Sequence, residues 1–275
     1  MTASTDLTPL AEAVECEFMH SYESRTPAPA YTDLGIATTR IGGGVALAMR
    51  NDPSGGYWNK ALGFGTTEPF TVQVLDRVLD FYRDQGVHQA VLQLVPSVLP
   101  VGFDEVAAAR GLEPGSAWVK LAARPDDVAA RQTRLRVGPV PVAEAQRWAD
   151  VLLAGFGMPS GGLTTMLAST VDAPAWRPYA GWDGDDLVAG GNLFLHGEAA
   201  SLNAAATAPG HRRLGAQSAL IAARARAAAE AGCRWLFAET GKPAPGQQNP
   251  SLNNMRRAGL VPLYERRNWI WRSAS

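Results

Sequence analysis

The chain repeats one pattern of long helix, strand, short helix and final strand, and this repetition limits the folds that it can adopt. The first copy spans residues 69–124 and the second spans residues 211–271. In each copy apolar residues recur at helical spacing, and a glycine, Gly86 or Gly232, ends the long helix. The repeat predicts a duplicated α/β unit, and the alternative is a chance likeness between two generic α/β stretches.

The boundary between the two copies is predicted in the polar stretch 123–134, which follows the first final strand. Residues 1–125 and 133–275 would then form two units. A length of 275 residues suits two domains of ordinary size. Each unit is predicted to be an α/β fold.

Composition narrows the class of protein. Hydrophobic residues make up 46% of the chain and charged residues 19%, which is typical of a globular protein with a core. The net charge of −1 provides no basic surplus, so we expect no nucleic-acid partner. Neither a signal peptide nor a membrane-length apolar run is evident. We expect a cytoplasmic monomer or homodimer without a membrane partner, in which Cys16 and Cys233 are reduced.

The stretch ATAPGHRRLGAQSALIAARARAAAEAG, residues 206–232, places two arginines and a glycine where a long helix begins. The first N–H groups of a helix have no partner within it, and the helix dipole makes that end attractive to anions. Gly215 would let a phosphate approach the backbone, while Arg212 and Arg213 add positive charge. This segment predicts a diphosphate site.

The same region resembles the GNAT acyltransferase superfamily in its order of strand, arginine-x-x-glycine, long helix, strand and asparagine-bearing short helix. The phosphate motif of that family is Gln/Arg-x-x-Gly-x-Gly/Ala, after a Val-x-Pro stretch. Arg212 and Gly215 match the motif, Gln217 stands where the family has Gly or Ala, and Thr207 replaces the valine. The resemblance runs from about Leu135 to the C-terminus.

Taken with the repeat, the resemblance implies two tandem GNAT-like units with a single cofactor site. Each unit would have a central, mostly antiparallel mixed sheet flanked by helices. Before the long helix of the first copy, Gly63 and Gly65 are present, but Glu68 stands where a phosphate would need positive charge. We therefore interpret residues 1–125 as a degenerate GNAT-like domain and residues 133–275 as the domain with the acetyl-CoA site.

The resemblance also implies the residues that would hold acetyl-CoA, the acyl donor. In the family the strand before the motif separates from its neighbour and admits the pantetheine arm, and an asparagine after the next strand contacts that arm. The residues assigned in this way are Ala206, Thr207, Ala208, His211, Arg212, Arg213, Leu214, Gly215, Ala216, Gln217, Ser218 and Asn249. Because Asn249 precedes Pro250, it is equally interpreted as a helix cap.

Acyl transfer to an amine needs a base for the amine, a donor for the oxyanion and a donor for the departing thiolate. In GNAT enzymes a strand N–H serves the oxyanion, and a tyrosine four residues before a Gly-Phe pair serves the thiolate. Here the pair is Gly259-Leu260 and Met255 occupies the tyrosine position, where it cannot donate a proton. Tyr264 is the nearest replacement, unless it is simply a strand residue facing solvent or core.

Two carboxylates are candidate bases. Glu239 ends the strand after the long helix and would face the separated strands, and Glu198 is the second candidate. Asn203 would position the substrate. Loops 155–165 and 241–250, which carry no strong charge, would form the acceptor pocket together with part of the first unit. No metal is predicted, because the histidines and cysteines lack ligand spacing.

The resemblance implies an N-acyltransferase that moves an acetyl group from acetyl-CoA to the primary amine of a small molecule. A non-catalytic acyl-CoA-binding or scaffold protein is one alternative, which Met255 and Gln217 favour. A tandem aminoacyltransferase that uses charged tRNA is another: the duplication favours it, whereas the acidic balance and the CoA-type loop oppose it.

Overall fold

A computed structural model of the chain describes residues 6–273 and shows an α/β protein with one large mixed sheet flanked by helices. The helices are α1 (Thr8–Ser24), α2 (Ala28–Leu34), α3 (Val72–Asp84), α4 (Phe103–Ala108), α5 (Ala145–Phe156), α6 (Gly162–Ala168), α7 (Ala216–Glu230) and α8 (Pro250–Arg257). The strands are β1 (Ile36–Ile41), β2 (Gly44–Met49), β3 (Lys60–Leu62), β4 (Gln89–Gln93), β5 (Leu112–Ala123), β6 (Arg136–Pro139), β7 (Tyr179–Asp183), β8 (Asp186–His196), β9 (Ala199–Thr207), β10 (Trp235–Gly241) and β11 (Val261–Arg272).

The sheet follows the order β1-β2-β3-β4-β11-β5-β10-β9-β8-β7-β6. Its pairs are antiparallel except for two, β3 with β4 and β9 with β10, which hold equivalent places in the two halves. The predicted long helices are α3 and α7, and the predicted short helices are α4 and α8. The expectation of two repeated units, each with a mostly antiparallel mixed sheet, is therefore confirmed.

The final strand of each half lies in the sheet of the other half. β11, at the end of the chain, pairs with β4 and β5 of the first half. β5, which ends the first half, pairs with β10 of the second half. The predicted boundary at 123–134 lies between β5 and β6, but residues 1–125 and 133–275 are two segments with interleaved strands. Their independence as domains stays a prediction.

Helix α1 packs against the strands of both halves, and the sequence analysis assigned no element to this segment. Its apolar residues, among them Val14, Phe18 and Tyr22, join the largest core cluster together with α5, α6 and residues of β2 and β8. The same helix buries Glu12 and Glu15. Because α1 spans the two halves, its buried carboxylates lie where the halves meet.

Two classes of feature are absent from the part of the chain that the structure covers. No helix within residues 6–273 combines the length and the apolar content that a bilayer span requires. Across those same residues, no three His, Cys, Asp or Glu side chains converge as the ligands of a metal ion.

Because the final strands are exchanged, we expect residues 1–130 and 131–275, produced separately, to fold only when they are combined. Without β11, strands β4 and β5 expose unpaired edges at the centre of the sheet, and such edges favour aggregation. Co-expression with a tag on one fragment should recover both in equal amounts. A cooperative urea transition of either fragment alone would contradict this expectation.

Candidate active site

A gap opens between two neighbouring strands in the second half. The parallel pairing of β9 with β10 ends at Leu202 and Ala238, although both strands continue beyond those residues. β9 is bulged between Asn203 and Ala206, where its register against β8 shifts, and Ala204 there has a φ of +46°. A bulge bends its strand, so β9 turns away from β10 and leaves backbone groups without a ladder partner.

Helix α7 begins at one end of this gap and has no side-chain cap. Its N-cap Gly215 has a φ of +82°, and Arg213 just before it also has a positive φ of +66°. The first N–H groups of α7 therefore have no side-chain acceptor within the described chain, as an anion site requires.

The structure gives a steric reason for the glycine at position 215. A Cβ at Gly215 would lie 3.2 Å from the backbone oxygen of Gln132, in the segment that joins the two halves. Thr133 of that segment also donates a hydrogen bond of 2.7 Å to the carbonyl oxygen of Leu214. The positive φ and the packed linker favour glycine here, and the close approach of a phosphate stays a prediction.

A cleft of about 890 Å³ surrounds the start of α7. Ten of the twelve residues assigned to the cofactor line it, and the exceptions are Ala208 and Leu214. These two instead pack against an apolar cluster that includes Leu135 and Leu220. Arg257 of α8, which the sequence analysis missed, brings a third arginine to the cleft. The binding of a cofactor there stays a prediction.

Asn249 is both a helix cap and a residue of the cleft. Its Oδ1 accepts hydrogen bonds from the backbone N–H groups of Ser251 and Leu252, and its Nδ2 donates to Gly241 O. The side chain is thus already engaged with protein, as the capping interpretation predicts.

Gln217, which departs from the family motif, is held against α8. Its Nε2 donates to Ser251 Oγ at 2.8 Å, and its Oε1 accepts from Asn254 Nδ2 at 2.6 Å. The two hydrogen bonds fix the side chain on the wall of the cleft.

A second cavity, of about 400 Å³, adjoins the cleft, and Ala205, Gln217 and Ser251 line both. Its walls come from both halves, and seven of the residues that line it are aromatic. The aromatic residues are Phe18, Tyr22, Tyr57, Trp58, Trp118, Phe156 and Phe237. Loop 155–165 contributes only Phe156 and Met158 to this cavity, and loop 241–250 contributes nothing. The acceptor pocket expected from these loops and part of the first unit stays a prediction.

A buried cluster of five charged side chains forms one end of the cavity. Arg266 of β11 binds Glu12 and Glu15 of α1 with two nitrogen-to-oxygen contacts each, at 2.7–2.8 Å. It also binds Glu239 at 2.7 Å, and Lys120 contacts Glu15 and Glu239. Three carboxylates face two cations, so one negative charge is left uncompensated within the cluster.

Glu239 is the member of this cluster suited to exchange a proton with a molecule in the cavity. Its side chain is 15% exposed, and it lines the cavity together with Glu15. Burial, and then the nearby Glu15 carboxylate, raise the pKa of Glu239 above its ordinary value. Burial also opposes the charge of Glu15, but Arg266 and Lys120 hold the pKa of Glu15 well below its usual range.

The other catalytic candidates are placed differently. Tyr264 donates its hydroxyl proton to Glu12, burial raises its pKa, and it does not line the cavity, so the structure contradicts its role as the thiolate donor. Glu198 forms an exposed ion pair with Arg234 at 2.8 Å and is not at the site either. Asn203 does line the cavity and accepts a hydrogen bond from the Tyr22 hydroxyl at 2.7 Å.

Sequence reasoning missed several residues of the cavity, namely Glu15, Tyr22, Lys60, Lys120 and Arg224. One signal was available, because carboxylates alternate with apolar residues in the segment AEAVECEF of α1. The side chains of Glu12 and Glu15 are buried, where a solvated helix face would ordinarily carry charge.

Replacing Arg266 with methionine is expected to lower the free energy of unfolding by about 3–5 kcal/mol at pH 7, because three buried carboxylates lose their main counter-ion. The pKa of Glu15 is lower in the folded protein than its unfolded value of 4.5. Its pairing therefore stabilises above pH 4.5 and is lost as the pH falls below that value. The difference between wild type and variant should narrow from pH 7 to pH 3 in urea titrations.

The matched control is Arg272→Met, which removes an ion pair with Glu113 whose partners are more than half exposed. It should change the free energy of unfolding by less than about 1 kcal/mol at either pH. Equal effects of the two substitutions would contradict the importance of the cluster.

Solved structures that are similar to this chain show which fold it has. No family model and no curated protein matches the chain. A GCN5-related N-acetyltransferase from Kribbella flavida is similar over 98% of both chains, with 16% identity and a TM-score of 0.65. A putative GNAT-family acetyltransferase from Novosphingobium aromaticivorans is similar over 97% of this chain and 99% of its own, with 14% identity and a TM-score of 0.57.

The third similar structure is a tandem GNAT protein from the clavulanic acid biosynthesis pathway. The similarity covers 98% of this chain and 94% of that protein, with 15% identity and a TM-score of 0.59. At these identities the likeness concerns the fold, and it extends over both halves. The chain therefore has the fold of the GNAT N-acetyltransferases, in two tandem units.

Proposed function

We propose that the protein is an acyl-CoA-dependent N-acyltransferase that transfers an acetyl group to the primary amine of a small molecule. One observation carries the proposal: an arginine-rich cleft at the start of α7 adjoins, through the gap between β9 and β10, a cavity lined by Glu239. An acyl donor and an acceptor amine can thus meet inside the protein.

The cleft has the chemistry that a CoA diphosphate needs. Arg212, Arg213 and Arg257 line it, and none of them has a carboxylate within 4 Å among residues 6–273. Together with the uncapped N–H groups of α7, they present unpaired positive charge to an anion.

The gap has the chemistry that the pantetheine arm needs. The β9 backbone from 203 to 207 lacks a ladder partner on the side of β10, and buried peptide groups require a hydrogen-bond partner. Amide groups of the arm would supply one. Acyl-CoA, when bound, would supply an electrophilic thioester carbonyl at the junction of cleft and cavity.

Glu239 is the proposed base. The amine nitrogen forms a bond to the acyl carbon, its proton passes to Glu239, and the carbon–sulfur bond breaks with its electron pair on sulfur. The cluster around Glu239 carries one surplus negative charge, and a proton on this carboxylate would neutralise it. The raised pKa of Glu239 is consistent with that role.

Ser251 is the proposed donor to the departing thiolate, since Met255 lines the cavity and has no proton to give. Ser251 lies one turn before Met255 on α8 and lines both the cleft and the cavity. Its Oγ accepts a hydrogen bond from Gln217, so its own hydroxyl hydrogen remains free to donate.

The second candidate is a non-catalytic acyl-CoA-binding protein, and the presence of Met255 at the usual tyrosine position favours it. Measuring thiol release from acetyl-CoA with a panel of amines separates the two. Release that depends on the amine supports the enzyme, whereas CoA binding without any release supports the binding protein.

Replacing Arg212 and Arg213 together with alanine is expected to weaken CoA binding about tenfold or more, because charge-assisted contacts to phosphate are lost. Isothermal titration with CoA measures the affinity. Arg234→Ala, which removes an exposed arginine paired with Glu198 away from the cleft, is the matched control and should leave it unchanged. No binding of CoA to the wild-type protein would overturn the proposal.

The variant Glu239→Gln should lower kcat by about 10²–10⁴-fold, because the amine loses its base. In the wild type, kcat should rise with pH through the pKa of Glu239, which lies above its usual value of 4.5, since the base must be ionised. In Glu239→Gln, kcat should no longer rise with pH in this range. The control Glu198→Gln removes an exposed carboxylate and should leave both kcat and its rise with pH unchanged. If kcat of Glu239→Gln depended on pH as in the wild type, Glu239 would be excluded as the base.

A further inference from the structure

Lys60 places a buried ammonium at the cavity without a counter-ion. The residue begins β3 and is 4% exposed, and it lines the cavity. Its Nζ lies 3.8 Å from the centroid of the Tyr57 ring, and no carboxylate within residues 6–273 lies within 4 Å of it. A buried cation is costly unless it is paired, so this ammonium calls for an anionic partner.

Glu23, a buried carboxylate of α1, does not act as the counter-ion of Lys60. Glu23 is fully buried outside the lining of the cavity, and neither of its oxygens has a hydrogen-bond partner in the described chain. Burial, and then Asp52, raise its pKa well above the ordinary value, whereas Lys60 lowers it. Glu23 makes no ion pair with Lys60 within 4 Å and lies outside the cavity, so Lys60 has no carboxylate contact among residues 6–273.

Arg224 of α7 is a second cation of this kind. It is 1% exposed and lines the same cavity. Its Nε and Nη1 donate to the backbone oxygens of Leu220, Asn192 and Asn203, while Nη2 donates to no acceptor among the described residues. No carboxylate in residues 6–273 lies within 4 Å of its guanidinium.

Tyr22 contacts neighbours of both Lys60 and Arg224. Its ring packs against Trp58, with centroids 5.9 Å apart. Trp58 in turn packs against Tyr57, the ring over which the Lys60 ammonium lies. Its hydroxyl donates to Asn203 Oδ1, and the backbone oxygen of Asn203 accepts from Arg224. The cavity thus carries two cations, Lys60 and Arg224, in addition to the cluster that contains Glu239.

We infer that the acceptor is an amine that also carries a carboxylate, an amino acid or a close analogue, whose carboxylate binds Lys60 and Arg224. This inference rests on the proposed function and names the substrate class of the same site. One free guanidinium nitrogen and one ammonium suit the two oxygens of a carboxylate. The aromatic walls suit an apolar side chain, and the volume is that of a small-molecule site.

The test compares acceptors that differ only in the carboxylate. Leucine, methionine, phenylalanine, tyrosine and tryptophan are each assayed for thiol release from acetyl-CoA beside their carboxamides and their decarboxylated amines. Binding of each compound is measured in parallel by thermal shift, which does not depend on turnover. We expect the amino acid to exceed both counterparts in kcat/KM by about tenfold or more for at least one side chain.

The variants Lys60→Met and Lys60→Arg test whether Lys60 causes the preference for an acceptor with a carboxylate. In Lys60→Met, KM for the preferred amino acid should rise about tenfold or more, while KM for its carboxamide and for acetyl-CoA stays unchanged, and Lys60→Arg should restore part of the loss. The control is Lys242→Met, which removes an exposed lysine paired with Glu265 and not part of the cavity lining.

The outcomes separate the two proposals. If no amino acid is preferred to its carboxamide or amine, in turnover or in binding, the inference is overturned even where CoA binds and other amines react. If CoA itself does not bind, the proposed function fails first. A loss in Lys60→Met that is equal for amino acid and carboxamide would show a structural role and would also overturn the inference.

Discussion

The ion cluster around Arg266 is the interaction on which the site depends, because it joins elements from the two ends of the chain. Arg266 lies on β11, while two of its carboxylate partners, Glu12 and Glu15, lie on α1. The strand exchange brings β11 between β4 and β5, where Arg266 reaches the carboxylates of α1. The third partner, Glu239, ends up at the cavity, so the geometry of the candidate base is fixed by contacts between the halves.

The long helices of the two repeated units have starts with opposite properties. Thr71 caps α3 in the first half and accepts a hydrogen bond from the backbone N–H of Val74 at 3.3 Å. In the second half α7 has no side-chain cap, and three arginines surround its start. A helix end whose N–H groups are satisfied by protein offers less to an anion. The halves thus differ in role: the second presents the cleft, while the first contributes α1 and β3 to the cavity.

The sequence was informative where the signal is local. The repeat, the arginine-x-x-glycine motif and the cap at Asn249 each depend on residues that are close in the chain, and the structure has them where they were expected. The strand exchange could not be predicted, because both β5 and β11 read as ordinary final strands and nothing local specifies their partners. Glu12 and Glu15 had no visible partner either, since Arg266 lies at the far end of the sequence.

The charges around the cavity have a consequence for what it can hold. One end carries a buried cluster with a surplus carboxylate, and the cavity lining also includes two cations without carboxylate partners. In a region of low dielectric, each unbalanced charge disfavours the empty folded protein. A neutral occupant relieves neither imbalance, and an occupant of one sign relieves only one. A zwitterion satisfies both, which is why the same arrangement that places a base beside the acceptor amine also selects for an anionic group on the acceptor.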